Sequence, residues 1–540
     1  MDTLPDWLTP LLDAETMRAV DRWAIDVRDV PPLELMERAG AGVTRAVERL
    51  APDGLVAVVC GKGNNGGDGL VVARLLREAA RSVTVVCAAP LGDFTGDARV
   101  NLERLPGEAP FELTEDRERT ERTLAEATVI VDALLGTGFQ GEPRGAVGEA
   151  IEAVNAARAS VVSVDVPSGV DASTGVASGA AVRAAATVSF HAGKPGLWIA
   201  PGKAHAGEVH TIDIGIPRGS PDDTKIGLIE ASVLDRLPSR GASSTKFVSG
   251  HVLLAGGSRG LTGAPRMAAE AAMRAGAGYV TAYVPASLQA ILATAGPPEL
   301  MTWGLPDEDG GLTADGVQDM LDASRRGGAL ALGPGLGRSD GAVQFARELA
   351  HEAKVALVLD ADGLNAHAGR LSELAARTAP TVLTPHAGEL GRLLEVSSEE
   401  IERERLRHVR AAAEQAQAVV VLKGDDTLIA EPSGRVAVNP GGSAALATAG
   451  TGDVLTGVIV ALLAAGLDPF TGAAAGVWLH AEAGREAARR QGANEGVLAS
   501  DVIAALPAAR GGAGSEHHGR AHGDGRLVSG AHDVVRTGGE

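Results

Sequence analysis

The sequence predicts an α/β protein made of two doubly wound parallel sheets in succession. Short β-branched runs alternate with helical patterns along the whole 540-residue chain, and strand–helix alternation gives parallel sheets covered on both faces. The length exceeds what one ordinary hydrophobic core fills. Aromatics are only 3% of the residues while glycines number 71, a composition that lets helices pack closely on sheets.

In the first half, strands are expected at 55–60, 82–88, 128–134, 160–166, 186–191 and 208–214, after amphipathic helices over about 13–26 and 32–50. Turn formers without a strong strand signal fill 216–245. This gives a domain over residues 1–220, a linker over 221–245 and a second domain over 246–508. The second strand series opens with HVLLAGG (251–257) and runs through YVTAYVP, ALALGPG, VALVLDADG, TVLTPH and AVVVLKG. Alanine- and glycine-rich helices from 451 to about 492 close it. Residues 509–540 lack periodicity and read as a disordered tail, whose His517, His518 and His522 read as solvated rather than metal-binding.

A formal charge of −20 excludes a nucleic-acid groove or an anionic membrane surface, since both need a positive field. It leaves room for a small nucleotide held by backbone amides. The two cysteines, Cys60 and Cys87, lie in apolar runs and read as core residues. The N-terminus lacks the basic flank and apolar stretch of a signal peptide. The longest apolar segment, 454–467, is too short to span a bilayer. A cytoplasmic protein is expected, and the small-residue helical faces suit a homo-oligomer.

The first strand leads into GKGNNGGDG (61–69). Gly61, Gly63 and Gly66 have dinucleotide-turn spacing, but the next strand ends Val86-Cys87-Ala88-Ala89-Pro90, without the acid that would bind a ribose. A glycine turn that merely reverses the chain stays open as an alternative. Polar residues also close three later strands: DALLGTGFQG (132–141), DVPSGVD (165–171) and HAGKPG (191–196). In a doubly wound sheet these loops meet at one edge, bringing Asp132, Asp165 and Asp171 toward Asn65 and Asp68. An oxygen-rich set of this kind suits a hard cation, although Asp165 or Ser168 alone reads equally as a helix cap.

Together, KGNNGGDGLVVARLL, VDALLGTGFQG, SVDVPSGVDASTG and FHAGKPG resemble the NAD(P)H-hydrate epimerase domain. The resemblance implies a Rossmann-like fold with bound potassium (K+) on Asn65, Asp132 and Ser168. It also implies contacts to the hydrated dinucleotide from Asn64, Asn65, Gly66, Gly67 and Asp68, from Gly136, Thr137, Gly138, Phe139, Gln140 and Gly141, and from Asp165. Epimerisation asks for proton transfer at a ring hydroxyl that leaves and returns as water. Asp165 is the candidate acid/base, with Lys194 stabilising charge, though a surface lysine is the competing reading.

In the second half, Ala449-Gly450-Thr451-Gly452 leads into a helix that opens with Asp453. Amides at a helix N-terminus hold anions, and a carboxylate beside them suits a base acting on a hydroxyl. GTGD–VLTG resembles the ribokinase-like family. With GGSRGLTGAPRMAAEAAMRAGAGYVT, LGPGLG, LDADGLN, TPHAGELGRL and LKGDDTLIA it is similar to the nucleotide-dependent NAD(P)H-hydrate dehydratases. That resemblance implies a hydrate pocket lined by Ala264, Gly335 and His386, and nucleotide contacts from Lys423, Gly424, Asp425, Asp426, Thr427 and Gly452. It implies Asp453 as the group acting at the hydroxyl, with ADP as co-substrate and Mg2+. His386 reads alternatively as a helix cap. Ser443-Ala444-Ala445 departs from the family, which has an Asn and a Gly nearby.

The expected function is repair of hydrated NADH and NADPH. One domain interconverts the R and S hydrates, and the other dehydrates the S form at the expense of ADP, by phosphorylation of the ring hydroxyl and phosphate elimination. The competing readings are a ribokinase-like small-molecule kinase with an unrelated N-terminal binding domain, and a binding or scaffold protein with decayed sites.

Overall fold

The computed structural model describes residues 4–516, and the chain forms two compact units. Of the described residues, the first comprises Leu4 and Pro10–Ile226; the second takes Pro5–Thr9 and those from Gly227 to Glu516.

The first unit holds a seven-stranded sheet. Its strands are β2 (Val56–Cys60), β3 (Val83–Cys87), β4 (Phe111–Glu112), β5 (Val129–Ala133), β6 (Ser160–Val164), β7 (Ala186–Phe190) and β8 (Glu208–Ile212), following a short β1 (Leu8–Pro10) at the start of the chain. The order β4-β3-β2-β5-β6-β7-β8 is parallel throughout and reverses direction between β2 and β5. Loops leaving these two strands diverge, which opens a crevice at their carboxyl ends. β2, β5 and β7 are buried along their whole length, as sheet covered on both faces requires. Cys60 and Cys87 face each other across β2 and β3, both buried.

The second unit holds an eleven-stranded sheet. In chain order its further strands are β9 (Ile226–Ile229), β10 (His251–Ala255), β11 (Tyr279–Pro285), β12 (Met301–Leu305), then β15 (Ala329–Leu332), β16 (Ala356–Leu359), β17 (Thr381–Leu383), β18 (Val419–Leu422), β19 (Leu428–Ala430) and β20 (Val436–Val438); β13 (Asp307–Glu308) and β14 (Gly311–Leu312) form a separate ribbon. The order is β1-β9-β20-β19-β18-β17-β16-β15-β10-β11-β12. From β18 to β12 the neighbours are parallel, and β18-β19-β20 is an antiparallel extension.

Two sequence expectations change here. The stretch 221–245 contains β9 and a 3-10 helix over Ala231–Arg236. Its apolar IGLI is short, and becomes a strand only because β1 and β20 flank it. The C-terminal helix runs Ala499–Glu516 despite Pro507, so residues 509–516 are helical; the remainder of the expected tail, with its histidines, lies outside the described residues. Among the described residues no helix is long and apolar enough to cross a membrane.

The start of the chain also matters to the second unit. Trp7 is 2% exposed, its ring lies 5.7 Å from that of Phe470, and its carbonyl accepts from the Glu230 amide at 3.0 Å. Trp7→Ala is expected to weaken the second unit by about 3–5 kcal/mol, read as a lower urea midpoint for loss of its helical signal. An unchanged midpoint would remove the N-terminal segment from this core.

Candidate active sites

A cavity of about 1000 Å³ opens at the carboxyl edge of the first sheet, between the loops after β2 and β5. Asn64, Asn65, Asp68, Gly136, Thr137, Gly138, Phe139, Gln140, Asp165 and Lys194 line it. Gly66 and Gly67 lie beneath the surface for a packing reason: a Cβ on Gly66 would collide with the Gly61 carbonyl, and one on Gly67 would meet Met36. Gly141 adopts φ 87°, turning the loop outside the lining.

Asp165 sits just past β6 with φ 66°, a left-handed conformation uncommon outside glycine and best tolerated by Asp and Asn. That bend aims its carboxylate into the cavity. Oδ1 accepts from Lys194 Nζ at 2.5 Å, and Oδ2 from the Thr137 hydroxyl. Lys194 is wholly buried and also donates to Ser189 Oγ (3.0 Å) and the Phe190 carbonyl (2.9 Å). It is an internal counterion, not a surface lysine. Burial, reinforced by Asp165 and Asp21, holds the Asp68 carboxyl well above the usual range. Burial also raises Asp21, against the pull of Lys194.

Beneath the cavity floor, Asp132 accepts from Ser168 Oγ (2.5 Å), Ser168 N (2.9 Å), Ser163 Oγ (2.8 Å) and Leu134 N (3.3 Å). Asn65 Nδ2 donates to the Leu135 carbonyl at 2.9 Å, and the Leu135 amide donates to Ser168 Oγ at 2.9 Å. Asn65 and Ser168 thus meet at Leu135, and Asp132 joins them through Ser168. Burial pushes Asp132 up despite its hydrogen bonds, and among the described residues no cationic side chain pairs with it. An oxygen-only donor set around a buried acid without a counterion fits a monovalent cation. Asp171 does not join the group: its Oδ1 accepts from the Ser173 and Thr174 amides and closes a turn.

In the second unit, Gly450 takes φ 92° and the helix Thr451–Ala464 starts behind it, with Asp453 in its first turn. The Asp453 carboxyl is pushed up to about 7 by burial, then by the charges of Asp360 and Glu389, with Lys423 opposing. Lys423 Nζ lies 3.0 Å from Asp360 Oδ1 and 3.5 Å from Glu389 Oε2. Burial pulls its pKa down, but the two carboxylates win and raise it. Asp360 also accepts from Thr384 (2.8 Å) and Thr456 (2.7 Å), the latter on the Asp453 helix. A Cβ on Gly452 would stand 3.7 Å from Lys423 Nζ, an ordinary contact distance, so the lysine lies against the helix N-terminus.

The remaining predicted residues divide. Gly335 and Ala264 are neighbours, a Gly335 Cβ falling 3.1 Å from that of Ala264. His386 caps the helix Ala387–Leu394: its Nδ1 accepts from the Gly388 and Glu389 amides, and Glu389 returns a bond to the His386 amide. Asp426 is buried against Arg405 at 3.1 Å, and Asp425 accepts from the Gly442 amide at 3.0 Å. Thr427 Oγ1 closes the turn onto the Gly424 carbonyl at 2.6 Å. These residues shape the loop after β18. Sequence reasoning passed over Asp21, Asp360 and Glu389. Asp360 carried a usable signal, an acid directly after a strand; Asp21 lies on a helix whose only pattern is amphipathic.

Two family models cover the chain: "YjeF-related protein N-terminus" over residues 32–196 and "NAD(P)H-hydrate dehydratase" over residues 252–508. A protein of Moorella thermoacetica described as bifunctional NAD(P)H-hydrate repair enzyme Nnr is 42% identical over 509 residues, 92% of this chain and 96% of its own. The chain belongs to the bifunctional NAD(P)H-hydrate repair enzymes. Relatives with the same description from Salinibacter ruber (41% identical, 92% of this chain, 95% of the relative) and Escherichia coli (35%, 91% and 92%) also match across both halves. The enzyme is therefore an NAD(P)H-hydrate epimerase joined to an NAD(P)H-hydrate dehydratase. Coverage of both halves by one family sets aside the small-molecule kinase with an unrelated N-terminal domain.

Proposed function

We propose that this enzyme divides hydrate repair between two acid–base centres, Asp165 in the first unit and Asp453 in the second. The observation that carries the proposal is that each carboxylate stands beside a lysine and an anion-tolerant glycine turn, Lys194 being wholly buried and Lys423 half-buried. In the epimerase cavity the ring nitrogen expels the hydroxyl, and Asp165 moves the proton at that oxygen while Lys194 holds the charge. Burial and the neighbouring carboxylates hold the Asp68 carboxyl above its usual range in the same cavity. Asn64, Asn65 and the loop Gly136–Gly141 position the dinucleotide. Potassium would be held by Asn65, Asp132 and Ser168, where it would supply positive charge to the site.

In the second unit Asp453 takes the proton of the ring hydroxyl of the S hydrate as the phosphoryl group of ADP arrives. Phosphate then leaves far more readily than hydroxide, pushed by the ring nitrogen. Catalysis of the transfer is positioning and electrostatics, supplied here by the Gly450–Gly452 turn and Lys423. Ala264, Gly335 and His386 face the hydrate, and Lys423–Thr427 with Gly452 the nucleotide. Asp360, Glu389 and Asp453 put three carboxylates around one ammonium, an excess of negative charge that fits a divalent cation. Glu389 would hold magnesium, which supplies charge neutralisation at the phosphates when bound.

Incubation with mixed R and S hydrates is the test. ADP is expected to restore the reduced-nicotinamide absorbance from both epimers with release of AMP and phosphate, faster than ATP does. Recovery of S alone, or none with either nucleotide, would refute the scheme.

A further inference from the structure

We propose that the ion pair Lys62–Asp93 is the element that lets the epimerase cavity accept both NADH hydrate and NADPH hydrate, Asp93 binding the adenosine ribose hydroxyls of one and Lys62 the 2′-phosphate of the other. This rests on the epimerase reading above. Both residues line the cavity, together with Ala88, Ala89 and Pro90 from the end of β3. They come from the loops after β2 and β3, on the far side of the switch point from Asp165. From β3 to β6 the order is β3-β2-β5-β6, three strand spacings, or about 14 Å. That separation is of the order of an extended dinucleotide's reach from nicotinamide ring to adenosine ribose. With the ring at Asp165, the ribose falls at the end of β3.

Sheets that bind dinucleotides in this way use an acid there for the ribose 2′-hydroxyl, or a cation for a 2′-phosphate. Here the strand end itself is Ala88-Ala89-Pro90, with neither group. The nearest of both kinds are Asp93, six residues beyond Cys87, and Lys62, between two glycines of the first loop. Their contact is loose: 3.4 Å between Lys62 Nζ and Asp93 Oδ2, with the side chains 61% and 50% exposed. An exposed pair of this sort is worth little, so a substrate can open it. A 2′-phosphate recruits the ammonium and turns the carboxylate aside. A free 2′,3′-diol offers two donors to the carboxylate and only neutral acceptors to the ammonium, which gains no charge partner from it.

The two substitutions should therefore move selectivity in opposite directions. R/S interconversion is followed by chromatographic separation of the epimers, without nucleotide, on purified full-length enzyme. In Lys62→Ala the ratio of kcat/KM for NADPH hydrate to that for NADH hydrate is expected to fall roughly tenfold, the loss of one charge-assisted contact. In Asp93→Ala the ratio is expected to rise, because the acid that repels the 2′-phosphate is gone. Adenosine 2′,5′-bisphosphate, as an inhibitor of interconversion, should lose potency in Lys62→Ala more than AMP does. Equal losses for both hydrates in both variants would place Lys62 on the shared pyrophosphate and overturn the assignment, as would ratios that do not move. Absence of interconversion in the unsubstituted enzyme would instead sink the epimerase reading itself.

Discussion

Asp453→Asn is expected to abolish recovery of NADH from S hydrate while leaving R/S interconversion running. Removing a positioned base costs about 10²–10⁴ in rate, and here the amide also takes away the charge that steers the hydroxyl proton. The unsubstituted enzyme should lose dehydratase kcat as pH falls below about 7, because protonated Asp453 cannot accept a proton. Stability carries the opposite sign. Folding raises the Asp453 pKa, so the ionised carboxylate is disfavoured in the native state. The penalty is absent below the ordinary carboxylate value, grows above it and is complete once pH exceeds about 7. Asparagine removes it. The variant should therefore be more stable than its parent at pH 8, by on the order of 1–3 kcal/mol, and no more stable at pH 4. A variant less stable at pH 8 would mean that Asp453 is paired in the native state and is not a free base.

Asp165→Asn is expected to have the second large effect, on both activity and folding. Asparagine tolerates the left-handed backbone at this position, so the change tests the charge and spares the turn. It leaves the Lys194 ammonium, wholly buried, without its carboxylate; Asp21 is the nearby acid that senses the same lysine. Breaking a buried pair from one side costs about 3–5 kcal/mol, and interconversion should fall by about 10²–10⁴. Adding Lys194→Met should return much of the stability and none of the activity. Recovery of interconversion in the double variant would show that Asp165 serves the fold alone. Dehydration of S hydrate provides the internal control.

Most of the fold was legible because buried parallel strands write themselves as unbroken β-branched runs, as in VAVVC and VIVDA. The site was legible where polar residues interrupt such runs at their carboxyl ends: Asp132, Asp165 and the Asn64–Asn65 pair all stand there. Asp171 and β9 escaped, and Lys194 was named with its burial left open. Asp171 had the same sequence context as Asp165, yet an amide two residues on captured its carboxylate, a local bond that no spacing rule separates from a ligand. Lys194 was named as a charge stabiliser against a surface alternative, and what separates the two is tertiary: Asp165, Ser189 and the Phe190 carbonyl make its burial tolerable. The strand β9 was missed because its partners, β1 and β20, lie far from it along the chain on either side, so its stability is wholly tertiary.

The central claim is that two separate carboxylates carry two sequential reactions on a shared, freely released intermediate. Mixing purified Asp165→Asn and Asp453→Asn proteins with R hydrate and ADP tests it most directly. Each variant alone should restore reduced-nicotinamide absorbance no faster than spontaneous epimerisation allows, and the mixture should restore it at a rate approaching that of the unsubstituted enzyme. A mixture no faster than its components, or an Asp165→Asn protein that repairs R hydrate at the parental rate, would contradict the account.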